Sequence, residues 1–159
     1  MLIALALACK PRLLISDEPV SALDTATRMR VLEQITKACD HSNTALLLIT
    51  HDFGVVAGSS QDVAVMYCGQ IVERAPVEEL FRQPRHPYTA GLLAAIPARD
   101  SAAETLDDIP GTPPPPGRWP AECRFEPRCF NRQALCRQAA PAPETQVNRE
   151  YRCHFPLGK

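Results

Sequence analysis

The spacing of apolar residues changes several times along the chain, and each change predicts a different element. Residues 1–9 are apolar on every side with no cap residue before them, which predicts a buried helix whose beginning is missing. Residues 12–17 form a short apolar run that closes on acid and predict a buried strand. After a loop at 21–24, Met29, Leu32, Ile35 and Cys39 recur at helical spacing behind Asp24, a good N-cap, and predict a helix over 25–38. Residues 45–50 are apolar throughout, as a strand covered on both faces would be, and His51 follows at the end. A short helix is expected over 53–57. Strands over 62–67 and 70–73 surround Cys68-Gly69 like a hairpin with a Gly turn. Helices over 76–82 and 87–95 each carry Pro near the first turn. From 99 to 117 the pattern decays into a stiff, extended connector, and no internal repeat is visible.

Strand, helix, strand, helix, strand predicts an α/β fold with a parallel sheet, right-handed crossovers and flanking helices. Ligands of such sheets gather at the carboxyl ends of strands. Topology alone therefore places Asp17, Glu18 and His51 in the candidate site.

Composition adds a division. The chain has 159 residues, 45% of them hydrophobic, which suits about one domain. Residues 1–117 carry net charge −5 and residues 118–159 carry +4, while nine of the 16 prolines lie between Pro110 and Pro143. A core-forming front and an irregular, basic, Pro- and Cys-rich extension are thus separate problems. The overall charge of −1 gives no support to a generic nucleic-acid or anionic-membrane binder. The opening apolar run is far shorter than the roughly 20 residues that span a bilayer. It has no basic n-region and continues through Lys10-Pro11-Arg12, unlike a secretory signal.

An apolar strand that delivers adjacent carboxylates costs stability unless they have partners or work. Neighbouring residues leaving a strand point apart, so one acid can reach a cation while the next reaches a water, a division that phosphoryl transfer needs. Two acids exposed in a loop is the plainer alternative. His51 can donate to a phosphate oxygen or orient a water.

Residues 13–24, Leu-Leu-Ile-Ser-Asp-Glu-Pro-Val-Ser-Ala-Leu-Asp, resemble the Walker B strand and D-loop of ABC transporter ATP-binding subunits, and Ile49-Thr50-His51-Asp52 is similar to that family's H-loop. Met66-Tyr67-Cys68-Gly69-Gln70-Ile71-Val72-Glu73, followed by Arg85-His86-Pro87-Tyr88-Thr89-Ala90-Gly91-Leu92-Leu93, is similar to the oligopeptide/dipeptide branch. The resemblance implies a partial P-loop NTPase sheet over 1–82 and the branch's C-terminal extension over 83–159. It implies ATP and Mg2+ as cofactors, with Asp17 holding the magnesium, Glu18 as general base and His51 contacting the γ-phosphate. Ser21 to Asp24 would pack against a second ATP-binding subunit, so Asp17, Ser21 and Asp24 are the expected cofactor-binding residues. The implied function is ATP hydrolysis coupled to peptide import through transmembrane permease subunits. The subunit would lie peripherally on the cytoplasmic face of the membrane, with no nucleic-acid partner. The sequence holds no G-x-x-x-x-G-K-[ST] loop, no Leu-Ser-Gly-Gly-Gln signature and no glutamine loop. It thus looks like the C-terminal portion of a longer subunit. A non-catalytic remnant, or a metal- or iron–sulfur-binding interaction module, is the alternative.

Cys9, Cys39 and Cys68 are scattered in apolar contexts and read as small buried hydrophobes. Cys123, Cys129, Cys136 and Cys153 are concentrated in the extension, with gaps that match neither short zinc pairs nor ferredoxin runs. Spacing alone leaves a four-thiolate site and four free thiols both open, while the nearby arginines are expected to favour thiolates. The segment resembles the one that ends many peptide-importer ATPases, some of which carry a four-iron four-sulfur cluster there.

Overall fold

The computed structural model describes residues 2–21, 23–96 and 108–158. Met1, Ala22, Lys159 and residues 97–107, most of the expected connector, lie outside them. The chain is mixed α/β and divides after Ser60 into two compact units.

The first unit contains α1 (Leu2–Ala8), β1 (Leu13–Asp17), α2 (Thr25–His41), β2 (Ala45–Ile49) and α3 (Phe53–Ser59). Asp24 caps α2 by accepting from the Thr27 amide at 3.0 Å. The helix outruns its apolar signal by three residues, because its end is set by cap chemistry. The Ser42 hydroxyl donates to the Ala38 carbonyl at 2.8 Å, and Asn43 turns to a φ of 53°. β1 and β2 pair in parallel from Leu13↔Ala45 to Asp17↔Ile49, with α2 as the crossover.

One face of this pair is packed. Val20, Leu32 and Val55 form a core against which Leu23, Val31 and Leu48 lie. Each fully buried side chain of this kind contributes about 1.5–3 kcal/mol. The other face departs from the expected strands covered on both sides: Leu13, Ile15, Leu47 and Ile49 are 50, 59, 49 and 46% exposed. The continuous apolar run therefore marks two apolar faces of which the described residues cover one. α1 differs likewise, since Leu5 and Cys9 are exposed; of the three scattered cysteines only Cys39 is buried.

The second unit contains β3 (Asp62–Tyr67), β4 (Gln70–Pro76), α4 (Val77–Arg82), α5 (Pro87–Ala94), 3₁₀ turns at Glu126–Arg128 and Ala134–Arg137, β5 (Glu144–Gln146) and β6 (Arg149–Tyr151). β3 is not a third parallel strand, as the order of elements had predicted. It joins β4 through the two-residue Cys68-Gly69 turn, whose φ values of 46° and 75° have the signs of a type I′ hairpin turn. That short connection commits β3 to an antiparallel partner. Gly69 is required twice, since a Cβ there would also stand 2.8 Å from the Trp119 ring. The sheet order is β3-β4-β6-β5. The segment expected to be irregular thus supplies two strands, too short for a period to be read.

A bulge shapes β4. Val65 faces Glu73 while Met66 faces Ile71, leaving Val72 as an extra residue. Val72 and Glu73 are consequently both buried. The fully buried Glu73 carboxylate accepts from the Arg85 amide at 2.7 Å and the His86 amide at 3.0 Å. His86 in turn caps α5 by accepting from the Tyr88 amide at 3.0 Å. Phe125 packs among Tyr67, Tyr88 and His86 with ring centroids 5.2–5.7 Å away, tying the Cys-bearing segment to this hairpin.

Candidate functional site

β1 and β2 end side by side, and their continuations are stitched together. The Glu18 amide donates to the Ile49 carbonyl at 2.9 Å. Glu18 then turns with a φ of 46°, a left-handed conformation uncommon for a residue with a side chain. This swings its carboxylate toward the second strand, where Oε1 accepts from the His51 amide at 3.1 Å and lies 2.6 Å from His51 Nδ1. The carboxylate is 35% exposed and the imidazole 82%, so one side of the pair is open to solvent.

Asp17 closes β1 on the exposed face, level with Ile49, and is itself exposed. The structure thus brings Glu18 and His51 together and places Asp17 beside them on the strand end. Ser21 folds back on Glu18, its hydroxyl donating to the Glu18 carbonyl at 3.2 Å. Asp24 sits further on, at the start of α2. The Thr27 side chain and amide that it accepts from hold its carboxyl below the usual range.

Two residues that sequence reasoning missed frame this pair. Asp52, directly after His51, caps α3 by accepting from the Gly54 amide at 2.8 Å and the Val55 amide at 3.3 Å. Its second oxygen pairs with the Arg28 guanidinium, which also donates to the Leu23 carbonyl at 3.1 Å. Arg28 therefore links the loop after β1 to the loop after β2. Asp52 was legible as a helix cap; nothing in the spacing marks Arg28. Between these groups lies a cavity of ≈ 30 Å³ lined by Glu18, Ser21, Thr50 and His51 among others, room for one or two waters. A carboxylate and an imidazole sharing a short contact beside a water-sized space can orient a water and take its proton.

The second constellation is the four cysteines between residues 123 and 153. Cys136 is buried; Cys123, Cys129 and Cys153 are half-buried. The Cys123 amide donates to the Cys136 carbonyl at 3.3 Å. Burial raises the Cys123 thiol, pushes Cys129 up to about 11 and Cys153 up to about 12, and the neighbouring cysteines add to each rise. This reverses the expectation that nearby arginines favour thiolates. Arg124 reaches the Cys68 carbonyl and stacks on Trp119, Arg128 binds the Ile109 and Pro110 carbonyls, and Arg137 pairs with Glu126. Desolvation dominates at Cys129 and outweighs both the Asn131 backbone hydrogen bond and the weaker pull of Arg132, which lower it. Among the described residues no group of three or more His, Cys, Asp or Glu side chains is placed to hold one metal ion.

No helix among the described residues is long and apolar enough to cross a membrane. Residues 72–136 match the family described as oligopeptide/dipeptide transporter, C-terminal region. The chain is 47% identical over 154 residues to the oligopeptide transport ATP-binding protein AppD of Bacillus subtilis, an overlap of 96% of this chain and 47% of that protein. It is 41% identical over 157 residues to the oligopeptide transport ATP-binding protein OppD of Escherichia coli, covering 99% of this chain and 47% of that protein. OppD of Salmonella typhimurium matches to the same extent. The chain spans about half the length of the curated relatives it matches.

Proposed function

Since the chain belongs to the oligopeptide/dipeptide ABC transporter ATP-binding subunits, as the counterpart of their C-terminal portion, we propose that it carries the hydrolytic half of an ATP site that powers peptide import. In this reading residues 1–82 supply the Walker B strand, D-loop and H-loop, and residues 83–159 form the extension. The observation that carries it is the 2.6 Å contact of Glu18 Oε1 with His51 Nδ1 at the ends of adjacent parallel strands.

Magnesium keeps several waters and needs only one or two protein carboxylates, so the exposed Asp17 at the strand end fits the ion. Glu18 polarises the attacking water and takes its proton, and His51 holds Glu18 in place while its open side reaches the terminal phosphate. Ser21 and Asp24 lie in the loop that faces a second ATP-binding subunit. Nucleotide favours the closed pair of subunits, and that population shift is passed to transmembrane permease subunits. The protein works peripherally, on the cytoplasmic side of the membrane.

The phosphate cradle must come from outside these residues, because the sequence has no G-x-x-x-x-G-K-[ST]. The same observation favours a second reading, a non-catalytic module, and one experiment separates them. The chain is titrated with Mg-ATP alone and together with a polypeptide bearing the phosphate-binding loop. No micromolar binding is expected alone, and hydrolysis is expected in the assembly. Glu18→Gln should slow that hydrolysis by about 100-fold or more while nucleotide is still bound. Unchanged hydrolysis in this variant overturns the catalytic reading.

We also propose that Cys123, Cys129, Cys136 and Cys153 hold a four-iron four-sulfur cluster. Burial first, and then the neighbouring cysteines, disfavour ionisation of the Cys123, Cys129 and Cys153 thiols, and among the described residues the cysteines are not gathered for one ion. A single zinc with bonds of about 2.3 Å would draw its sulfurs tightly together, whereas a cluster spreads its ligands wider. When bound, the cluster supplies a cross-link between the 3₁₀ turns and the C-terminal strand, since the hydrolysis needs no electron. Anaerobic preparation followed by iron and sulfide analysis tests it; colourless protein with stoichiometric zinc refutes it.

A further inference from the structure

Arg28, in the first turn of α2, reaches both loops that border the Glu18–His51 pair. Its own amide donates to the Asp24 carbonyl at 2.8 Å, so it is built into the same turn as the helix cap. One arm of its guanidinium donates to the Leu23 carbonyl at 3.1 Å, in the loop that carries Ser21 and Asp24. The other arm pairs with Asp52 Oδ2, one residue beyond His51. Asp52 has little slack of its own. Its Oδ1 accepts from the Gly54 and Val55 amides at the start of α3, and its amide donates to the Thr50 hydroxyl at 3.1 Å. His51 is thus held from two directions, by Glu18 on one side and by the Asp52–Arg28 pair on the other.

The residue type suits a link of this kind. A planar guanidinium offers donors in fixed directions and can hold two acceptors at a set separation, whereas an ammonium on a flexible stem is a point charge. The Arg28 and Asp52 side chains are 24 and 31% exposed, so water screens their contact only in part. Arg28 also lines the water-sized cavity that Glu18, Ser21 and His51 line. A shift of its guanidinium therefore moves a wall of that space as well as the segment behind His51.

We propose that Arg28 is a positioning residue that fastens the 21–24 loop to the His51 segment, so that a displacement of either is felt at the Glu18–His51 contact. The chemistry stays with Glu18 and His51, and Arg28 acts through them. Regulation follows from what the loop faces: a second subunit that presses on Ser21 to Asp24 moves Leu23, and Arg28 carries the movement to Asp52 and His51. The inference rests on the reading of Glu18 and His51 as the hydrolytic pair, and its test has one arm that does not depend on hydrolysis.

That arm reads amide hydrogen exchange by NMR in the full, isotope-labelled chain. It follows His51, whose amide donates to Glu18 Oε1, and Leu23, whose amide donates to the Val20 carbonyl at 3.1 Å. Leu32 and Ile35, buried within α2, report general opening of the unit. Arg28→Gln should speed exchange at His51 and Leu23 by about tenfold or more relative to Leu32 and Ile35, the effect of losing a charge-assisted contact. Asp52→Asn keeps an oxygen to cap α3 and lies in the other loop, yet it should speed Leu23 to a similar degree. It should add little to Arg28→Gln, because both remove the same contact. Arg28→Lys should fall between wild type and Arg28→Gln. If Arg28→Gln fails to fold, Asp52→Asn still decides the matter at Leu23. In the assembly with a polypeptide bearing the phosphate-binding loop, Arg28→Gln should lower kcat by about tenfold with KM for Mg-ATP unchanged, and should lower it no further in a Glu18→Gln background. Exchange that quickens in proportion at all four amides, a Leu23 amide indifferent to Asp52→Asn, or a raised KM with unchanged kcat overturns the proposal. Hydrolysis indifferent to Glu18→Gln refutes the ATP-site reading instead, and the exchange rates still decide whether Arg28 fastens the two loops.

Discussion

The two units solve the same problem to different degrees. The second closes its own structure. Its hairpin pairs with a later strand, its bulge turns Glu73 inward, and Phe125 fills the space between Tyr67, Tyr88 and His86. The first has a good helix, two caps and a small core, yet leaves Leu13, Ile15, Leu47 and Ile49 uncovered on the outer face of its parallel pair. Parallel strands are normally buried on both faces, whereas an antiparallel sheet tolerates one solvated face. The difference therefore lies in sheet type. The outward positions of the antiparallel sheet include Asp62 and Arg74, while those of the parallel pair are aliphatic apart from Asp17 at the strand end.

The sharpest way to break the second unit is through its buried polar centre. Burial lowers His86 from an ordinary 6.5 to about 4, with an Arg152 backbone hydrogen bond pulling weakly the other way. Around it stand the Glu73 carboxylate, which accepts from the His86 amide, the Tyr88 amide, which donates to Nδ1, and the Phe125 ring. As pH falls below 6.5 the unfolded chain takes up a proton that the folded chain refuses until near 4. The stabilisation from a neutral His86 is thus complete above 6.5 and is lost progressively toward 4, by up to about 3 kcal/mol. His86→Asn keeps a capping oxygen but cannot titrate. Urea unfolding of both forms at several pH values should give the wild type a steeper loss across that window. Parallel profiles would remove His86 as the source.

How much of this was legible depended on the range of the interaction. The caps Asp24 and Asp52, the helix register of Leu32 and Ile35, and the Cys68-Gly69 turn are set by neighbours within a few residues, and such patterns are written locally. Asp17, Glu18 and His51 were placed at strand ends by the order of elements. Their 2.6 Å contact across 33 positions, which depends on the left-handed turn at Glu18, was not readable from spacing. β5 and β6 escaped notice because three residues carry no period, and their pairing is fixed by β4 some 75 positions earlier. The bulge that buries Glu73 shifts the alternation by one, so an inward acid reads from sequence as an outward one. The exposed apolar face of β1 and β2 shows the converse: the sequence specifies cover that the described residues do not provide.

The gentlest test probes that face directly. Ile15 is 59% exposed, so a lysine there loses little packing and desolvates no charge in this chain. Ile15→Lys should change the unfolding free energy by less than about 0.5 kcal/mol, as surface substitutions usually do. It should also reduce self-association, because a charge at an open strand face opposes the stacking that a flat apolar patch invites. Light scattering against concentration, alongside urea unfolding, reads both effects. A loss above about 1 kcal/mol in the isolated chain would mean that Ile15 is packed. The contrast between a self-contained second unit and an open first unit would then fail at its most exposed point.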